Sequence, residues 1–277
     1  MSIPTTAEIR PRLSDPAPIA RLYAAVASEW IKLRSVRSVP IAFLATIVFA
    51  VAEAGMVCAG FAAQWTRLTA GEQASFDPTY RSIQGILFAQ LVVGALGVLV
   101  ISNEYGSGLI RTTFTSTPQR GLVLAAKAIT FGMVAWAAGT VMSFAAFFVG
   151  QSLLSSPVPH ATLGQPGVLR AVLGGGVYLM LIGLLGLALG AILRSTAAGI
   201  SSLFGIVLVL PLLLDNVPTD IIGDTAVYLP SNAGEAFWAV VPQSSRTLSP
   251  EKGIGVLALE VAAAWLVAFL LIRRRDA

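Results

Sequence analysis

Six uninterrupted apolar stretches, each 19 to 27 residues long, constrain this chain more than any other feature. They cover residues 40–63, 83–102, 128–154, 171–193, 196–214 and 254–272. A bilayer core about 30 Å thick, crossed at about 1.5 Å per residue, requires about 20 apolar residues in a helix. Each stretch is therefore long enough to span. Only two of them hold a charged residue, Glu53 in the first and Glu260 in the last. Continuous apolarity excludes barrel strands, which alternate with a period of two. The expected fold class is all-α, a polytopic membrane protein with six transmembrane helices.

Composition agrees. Of the 277 residues, 56% are hydrophobic and only 12% charged, too little polar cover for a water-facing surface. Disorder and coiled coil both need abundant charge, and a disulfide scaffold needs paired cysteines, whereas Cys58 stands alone. The net charge of +4 comes from basic residues scattered along the chain, so no dense stripe for nucleic acid is formed. Residues 1–18 are polar and broken by proline, and the first span is expected to act as the insertion signal.

Basic residues near spans are retained on the cytoplasmic side. With both termini inside, 13 of the 18 Lys and Arg residues lie in inner segments. The reading is a multi-pass protein of the cell's inner (cytoplasmic) membrane with both termini cytoplasmic. It divides into a cytoplasmic segment, 1–38, and a transmembrane domain, 39–277, with an extracytoplasmic segment at 215–253. Within that outer segment the apolar run 236–241 is too short to cross, and an outer helix or a re-entrant hairpin both fit it.

Before the first span, Ile19, Leu22, Tyr23, Val26, Trp30 and Leu33 recur at helical spacing. An interfacial helix with this apolar face is expected, with Arg21, Glu29 and Lys32 on the other and Glu29 paired to Lys32 at i, i+3. Inside the spans, Gly55 and Ala59, Gly132 and Gly139, and Gly183, Gly186 and Gly190 offer close helix packing, in a compact bundle or a dimer.

Much chemistry is missing. None of the three lysines follows a glycine, so there is no P-loop for ATP. One histidine, His160, and one cysteine cannot build a His/Cys metal cluster. Gly106-Ser107-Gly108 is not a nucleophile elbow, and no inner histidine is available to activate Ser107. The chain is not expected to be an enzyme and carries no cofactor of its own.

The most informative segment is the loop 103–121, directly after the second span. Gly106 and Gly108 break the span helix, Ser107 is placed to cap a new one, and Pro118 ends it. A short helix is expected to lie on the inner face of the membrane, with Glu104, Arg111 and Arg120 as charged handles.

Here the sequence resembles the permease subunits of ABC-2 type transporters, especially the actinobacterial kind. The resemblance rests on Ser28-Glu29-Trp30-Ile31-Lys32-Leu33-Arg34-Ser35 and on Glu104-Tyr105-x-x-Gly108-x-Ile110-Arg111-Thr112-Thr113, with Pro118 and Arg120 after it. Lys127 entering the third span and Tyr228-Leu229-Pro230-Ser231-Asn232-Ala233-Gly234 before the sixth complete it. It covers most of residues 20–275 and departs at Gly106-Ser107, where the family often has a basic residue. The resemblance implies a membrane half-transporter, most simply an exporter. Its first inner loop would be a coupling helix docking on a separate ABC ATP-binding subunit, which binds ATP and Mg. A second permease subunit would complete a homo- or heterodimer. On this reading Glu104, Tyr105, Gly108, Arg111, Pro118 and Arg120 serve ATPase coupling. Glu53 and Glu260, costly in a bilayer, are candidates for the translocation path. The alternative is a non-transporting membrane anchor or sensor that recruits a cytosolic partner through the same loop; an ion-coupled carrier is a third. The sequence names no substrate.

Overall fold

The computed structural model describes residues 18–109, 120–155, 157–214, 217, 224–241 and 247–274. Among these residues every regular element is a helix, and six are long and apolar enough to cross a membrane. In chain order the described helices are α1 (Pro18–Ser35), α2 (Ser38–Gln64), α3 (Ala70–Ala74), α4 (Pro78–Ile83) and α5 (Ile86–Gly106). They continue with α6 (Arg120–Leu153), α7 (Val168–Leu193), α8 (Thr196–Leu214), α9 (Pro230–Trp238) and α10 (Pro250–Arg274). The spanning helices are α2, α5, α6, α7, α8 and α10.

Helix α7 is the hub, packed on α5, α6, α8, α9 and α10. Lipid tails give helices no hydrophobic reason to associate, so backbones must approach closely to gain dispersion energy. At the α5–α7 crossing a Cβ on Gly97 would lie 2.1 Å from the carbonyl oxygen of Gly183, and one on Gly186 equally close to that of Gly94. Only glycine fits there. Of the small residues singled out from the sequence, Gly186 forms such a crossing, Gly190 and Gly183 would bring a Cβ to 2.8 Å from Ile101 and Phe131, and Gly139 to 3.1 Å from the Gly176 backbone, whereas Gly55 and Gly132 make ordinary contacts.

The spans alternate in direction, so their ends gather into two groups. One end carries Lys32, Arg120, Lys127, Arg194 and the last turn of α10; here Arg120 Nη1 donates to the Ile272 carbonyl at 3.1 Å. This is the basic end. Arg194 makes the α7–α8 turn in the left-handed region, with φ of 52°, and Ser195 caps α8. Within α8 a π turn, Gly205–Val209, precedes Pro211, which lacks the N–H that a regular helix would use.

At the opposite end the 236–241 run does not cross. Its first part is the end of α9, and it is bonded into the bundle. Asp77 caps α4 through the amides of Thr79 and Tyr80 at 2.9 and 3.0 Å, and its second oxygen takes the Val241 amide at 2.9 Å. The Arg170 guanidinium donates to the carbonyls of Phe237 and Ala239. Trp238, fully buried, stacks on Tyr80 with ring centroids 4.9 Å apart. Burial and the nearby Glu235 carboxylate push the Tyr80 phenol well above its ordinary value, so it stays neutral.

Candidate functional site

At the basic end, four side chains from three helices close a ring of alternating charge. Lys127 Nζ of α6 lies 2.7 Å from Glu29 Oε2 and 2.6 Å from Glu104 Oε1. Lys32 Nζ of α1 lies 2.7 Å from Glu29 Oε1 and 3.2 Å from Glu104 Oε1. The Lys127 side chain is 1% exposed. An ammonium so deeply enclosed needs counter-charges, and the two carboxylates supply them.

The ring sets the rotation of α1. The expected apolar face of that helix is split: Leu22, Val26 and Leu33 are half-buried toward the bundle, but Ile19, Tyr23 and Trp30 are exposed. Glu29, expected on the polar side, is buried against α6. The pull of Lys127 on Glu29 outweighs the apolar stripe. The expected Glu29–Lys32 pair does form. Burial acts to lower the Lys32 pKa, but the hydrogen bond and charge of Glu29, with Glu104 behind it, raise it above the ordinary 10.5.

The loop residues singled out from the sequence divide. Glu104, in the last turn of α5, belongs to the ring. Its Oε1 accepts from both lysines, while its Oε2 is buried without a hydrogen-bond partner. Tyr105 lies under the Arg194 guanidinium, 5.0 Å from ring centroid to Cζ. Gly108 has a φ of +73°, the left-handed geometry that favours glycine. Ser107, expected to cap the next helix, closes α5 instead: its amide and its hydroxyl both donate to the Asn103 carbonyl. Arg120 ties α6 to α10. Arg111, Pro118 and most of the expected coupling helix of the 103–121 loop fall within 110–119, outside the described residues.

The two intramembrane carboxylates are separate from the ring. Glu53 Oε1 accepts from Gln84 Nε2 at 2.8 Å where α4 passes into α5, and its Oε2 is buried without a partner. Glu260 of α10 is half-buried and its Oε2 is likewise unpartnered. No group of His, Cys, Asp and Glu suited to a metal ion occurs among the described residues.

The residue that sequence reasoning underrated is Lys127. It was legible as a charge entering the third span. Helix α6 in fact begins at Arg120, so Lys127 sits two turns inside it. A lysine at that depth demands carboxylates, and Glu104 at the end of the preceding span is the nearest in sequence.

Six helices of spanning length, packed through the glycine-rich helix α7, are those of a multi-pass membrane protein. No family model and no curated protein matches the chain.

Proposed function

We propose that this chain is the permease subunit of an ATP-driven ABC-2 type transporter, an exporter that works with a separate ATP-binding subunit. The ring of Glu29, Lys32, Glu104 and Lys127 is the observation that carries the reading. It joins the N-terminal helix to the two helices that begin and end the 103–121 loop. A force applied to that loop would reach α1, α5 and α6 together, because rotating any one of them breaks charge pairs in a buried site. The exposed Ile19, Tyr23 and Trp30 on α1, with Arg34 and Arg37 beyond them, suit a helix lying at the headgroup boundary of the cytoplasmic leaflet. The basic end then faces the cytoplasm, where ATP and Mg are available to the partner.

In this mechanism closure of two ATPase subunits moves the coupling loops of two permease subunits. The bundles then rock between inward-open and outward-open forms, with the charge ring keeping α1, α5 and α6 in one rigid body. Arg111 and Arg120 offer charge-assisted contacts to the ATPase. Glu104 acts within the permease, as the anchor of the loop. Glu53 and Glu260 remain the candidates for the translocation path.

The test is purification of the intact chain with the P-loop ATPase expressed beside it, followed by ATP hydrolysis in proteoliposomes. A stable complex whose coupling is lost in Arg111→Ala, with assembly preserved, supports the reading. Failure of any such ATPase to associate rejects it and leaves the anchor or sensor.

A further inference from the structure

The charge ring consumes every carboxylate that the described residues bring to the basic end. Glu29 and Glu104 are the only acidic residues there among those described, and both are buried against lysines. What remains on the outside is cationic: Arg34 and Arg37 at the end of α1, and Arg273 and Arg274 at the end of α10, are all exposed. A surface with one sign of charge attracts a partner of the other.

The outer side of α1 narrows the choice of partner. Two contacts fix this helix on α6: Glu29 bonds to Lys127, and the Val26 carbonyl accepts from Thr130 Oγ1 at 3.5 Å. Away from those contacts Tyr23, Trp30 and Ile31 are exposed, at 77%, 49% and 67%. Arg34, one turn beyond Trp30, continues the same side. Glu29, the only acid in α1, faces the bundle, so this outer side carries no negative charge. The spanning helix α2 begins at Ser38, and four residues extend over at most about 14 Å, which keeps Arg34 close to the bilayer surface.

A headgroup layer offers negative charge with hydrocarbon directly beneath it, and arginines beside aromatic and aliphatic side chains match that order. We propose that α1 binds anionic phospholipid of the phosphatidylglycerol type in the leaflet at the basic end. Tyr23, Trp30 and Ile31 enter the headgroup boundary, and Arg34 and Arg37 pair with phosphates. A zwitterionic lipid carries its own cation beside the phosphate, so a lipid with an uncompensated phosphate is preferred. The proposal rests on α1 lying at the headgroup boundary and names the lipid it meets there; it does not depend on transport.

A fluorophore on Ser35→Cys, beside Arg34, tests this in the intact chain reconstituted into phosphatidylcholine bilayers, over the low background of buried Cys58. Phosphatidylglycerol or phosphatidylcholine bearing the same nitroxide-labelled acyl chain is added in equal amounts, and quenching reports which lipid gathers at α1. Quenching about two-fold stronger or more is expected from phosphatidylglycerol. It should fall to parity in Arg34→Gln/Arg37→Gln, and also when salt is raised from about 0.05 M to about 0.5 M. Parity at low salt with both arginines present overturns the proposal and leaves the cationic surface to an acidic protein. A preference that survives high salt overturns it whether or not the double variant folds, as does a preference unchanged in a folded double variant. Quenching by neither lipid overturns the headgroup placement of α1 as well, whereas strong quenching at parity overturns the lipid preference alone.

Discussion

Lys127 of α6 and Glu29 of α1, 98 residues apart in sequence, meet at 2.7 Å. That pair fixes which side of the N-terminal helix faces the bundle, and through Lys32 and Glu104 it closes a ring of four charges.

Removing one member of a buried pair strands the other. Lys127→Met is expected to destabilise the bundle by about 3–5 kcal/mol, because Glu29 and Glu104 lose their shared cation. Glu29→Gln combined with Lys127→Met should cost less than the sum of the single changes by about 0.5–3 kcal/mol. Reversible unfolding in mixed micelles measures both, and strict additivity would show that the two residues do not interact.

The α5–α7 crossing makes a sharper steric prediction. Gly97→Ala places a methyl 2.1 Å from the Gly183 carbonyl oxygen, and the helices must separate to admit it. A loss of about 1–3 kcal/mol is expected, as for other overpacked sites. Gly60→Ala, which meets nothing within 4 Å, should leave the same unfolding midpoint unchanged or slightly raised.

Asp77 holds two segments at the opposite end. Asp77→Ala should cost about 0.5–2 kcal/mol as a lost helix cap. Faster hydrogen exchange is expected at the amides of Thr79, Tyr80 and Val241, all of which that carboxylate accepts. Protection unchanged at Val241 would show that the bridge between α4 and the segment after α9 is not made in solution.

A pH effect is expected in the exposed helix α3. Hydrogen bonds from the Thr69 side chain and backbone lower the Glu72 pKa below its ordinary 4.5. A carboxylate with a depressed folded-state pKa stabilises the fold above its unfolded value and loses that contribution as pH falls through the folded one. The first turn of α3 should therefore fray below about pH 4.5, visible as faster exchange at Glu72 and Gln73. In Glu72→Gln that pH dependence should vanish.

Much of the architecture was readable in advance because bilayer thickness is a strict ruler. The 196–214 span is met residue for residue by α8. Most other helices start before their apolar windows, α6 at Arg120, eight residues early, because helix geometry continues where apolarity stops. Helix α5 instead starts at Ile86, three residues inside the 83–102 window, because Ile83 ends α4 and a break at 84–85 separates the two. The GxxxG step at Gly186 and Gly190 lies in the hub as small residues should. The site was harder to read. Glu29, Lys32, Glu104 and Lys127 were each visible as charges, but their meeting depends on how α1 rotates against α6. Periodicity placed Glu29 on the solvent side, since an apolar stripe carries no information about a lysine in another helix. Ser107 was assigned to the wrong helix end because a hydroxyl can serve either end, and the Asn103 carbonyl took it.

The central claim is that the basic end, with the charge ring and the 103–121 loop, faces the cytoplasm and its ATP. Cys58 is buried, so single cysteines introduced at exposed positions can be labelled over a low background. A membrane-impermeant maleimide applied to intact cells is predicted to label Glu72→Cys at once and Ser35→Cys only after permeabilisation. Labelling of Ser35→Cys in intact cells, with Glu72→Cys protected, would put the loop on the wrong side of the membrane and contradict the account.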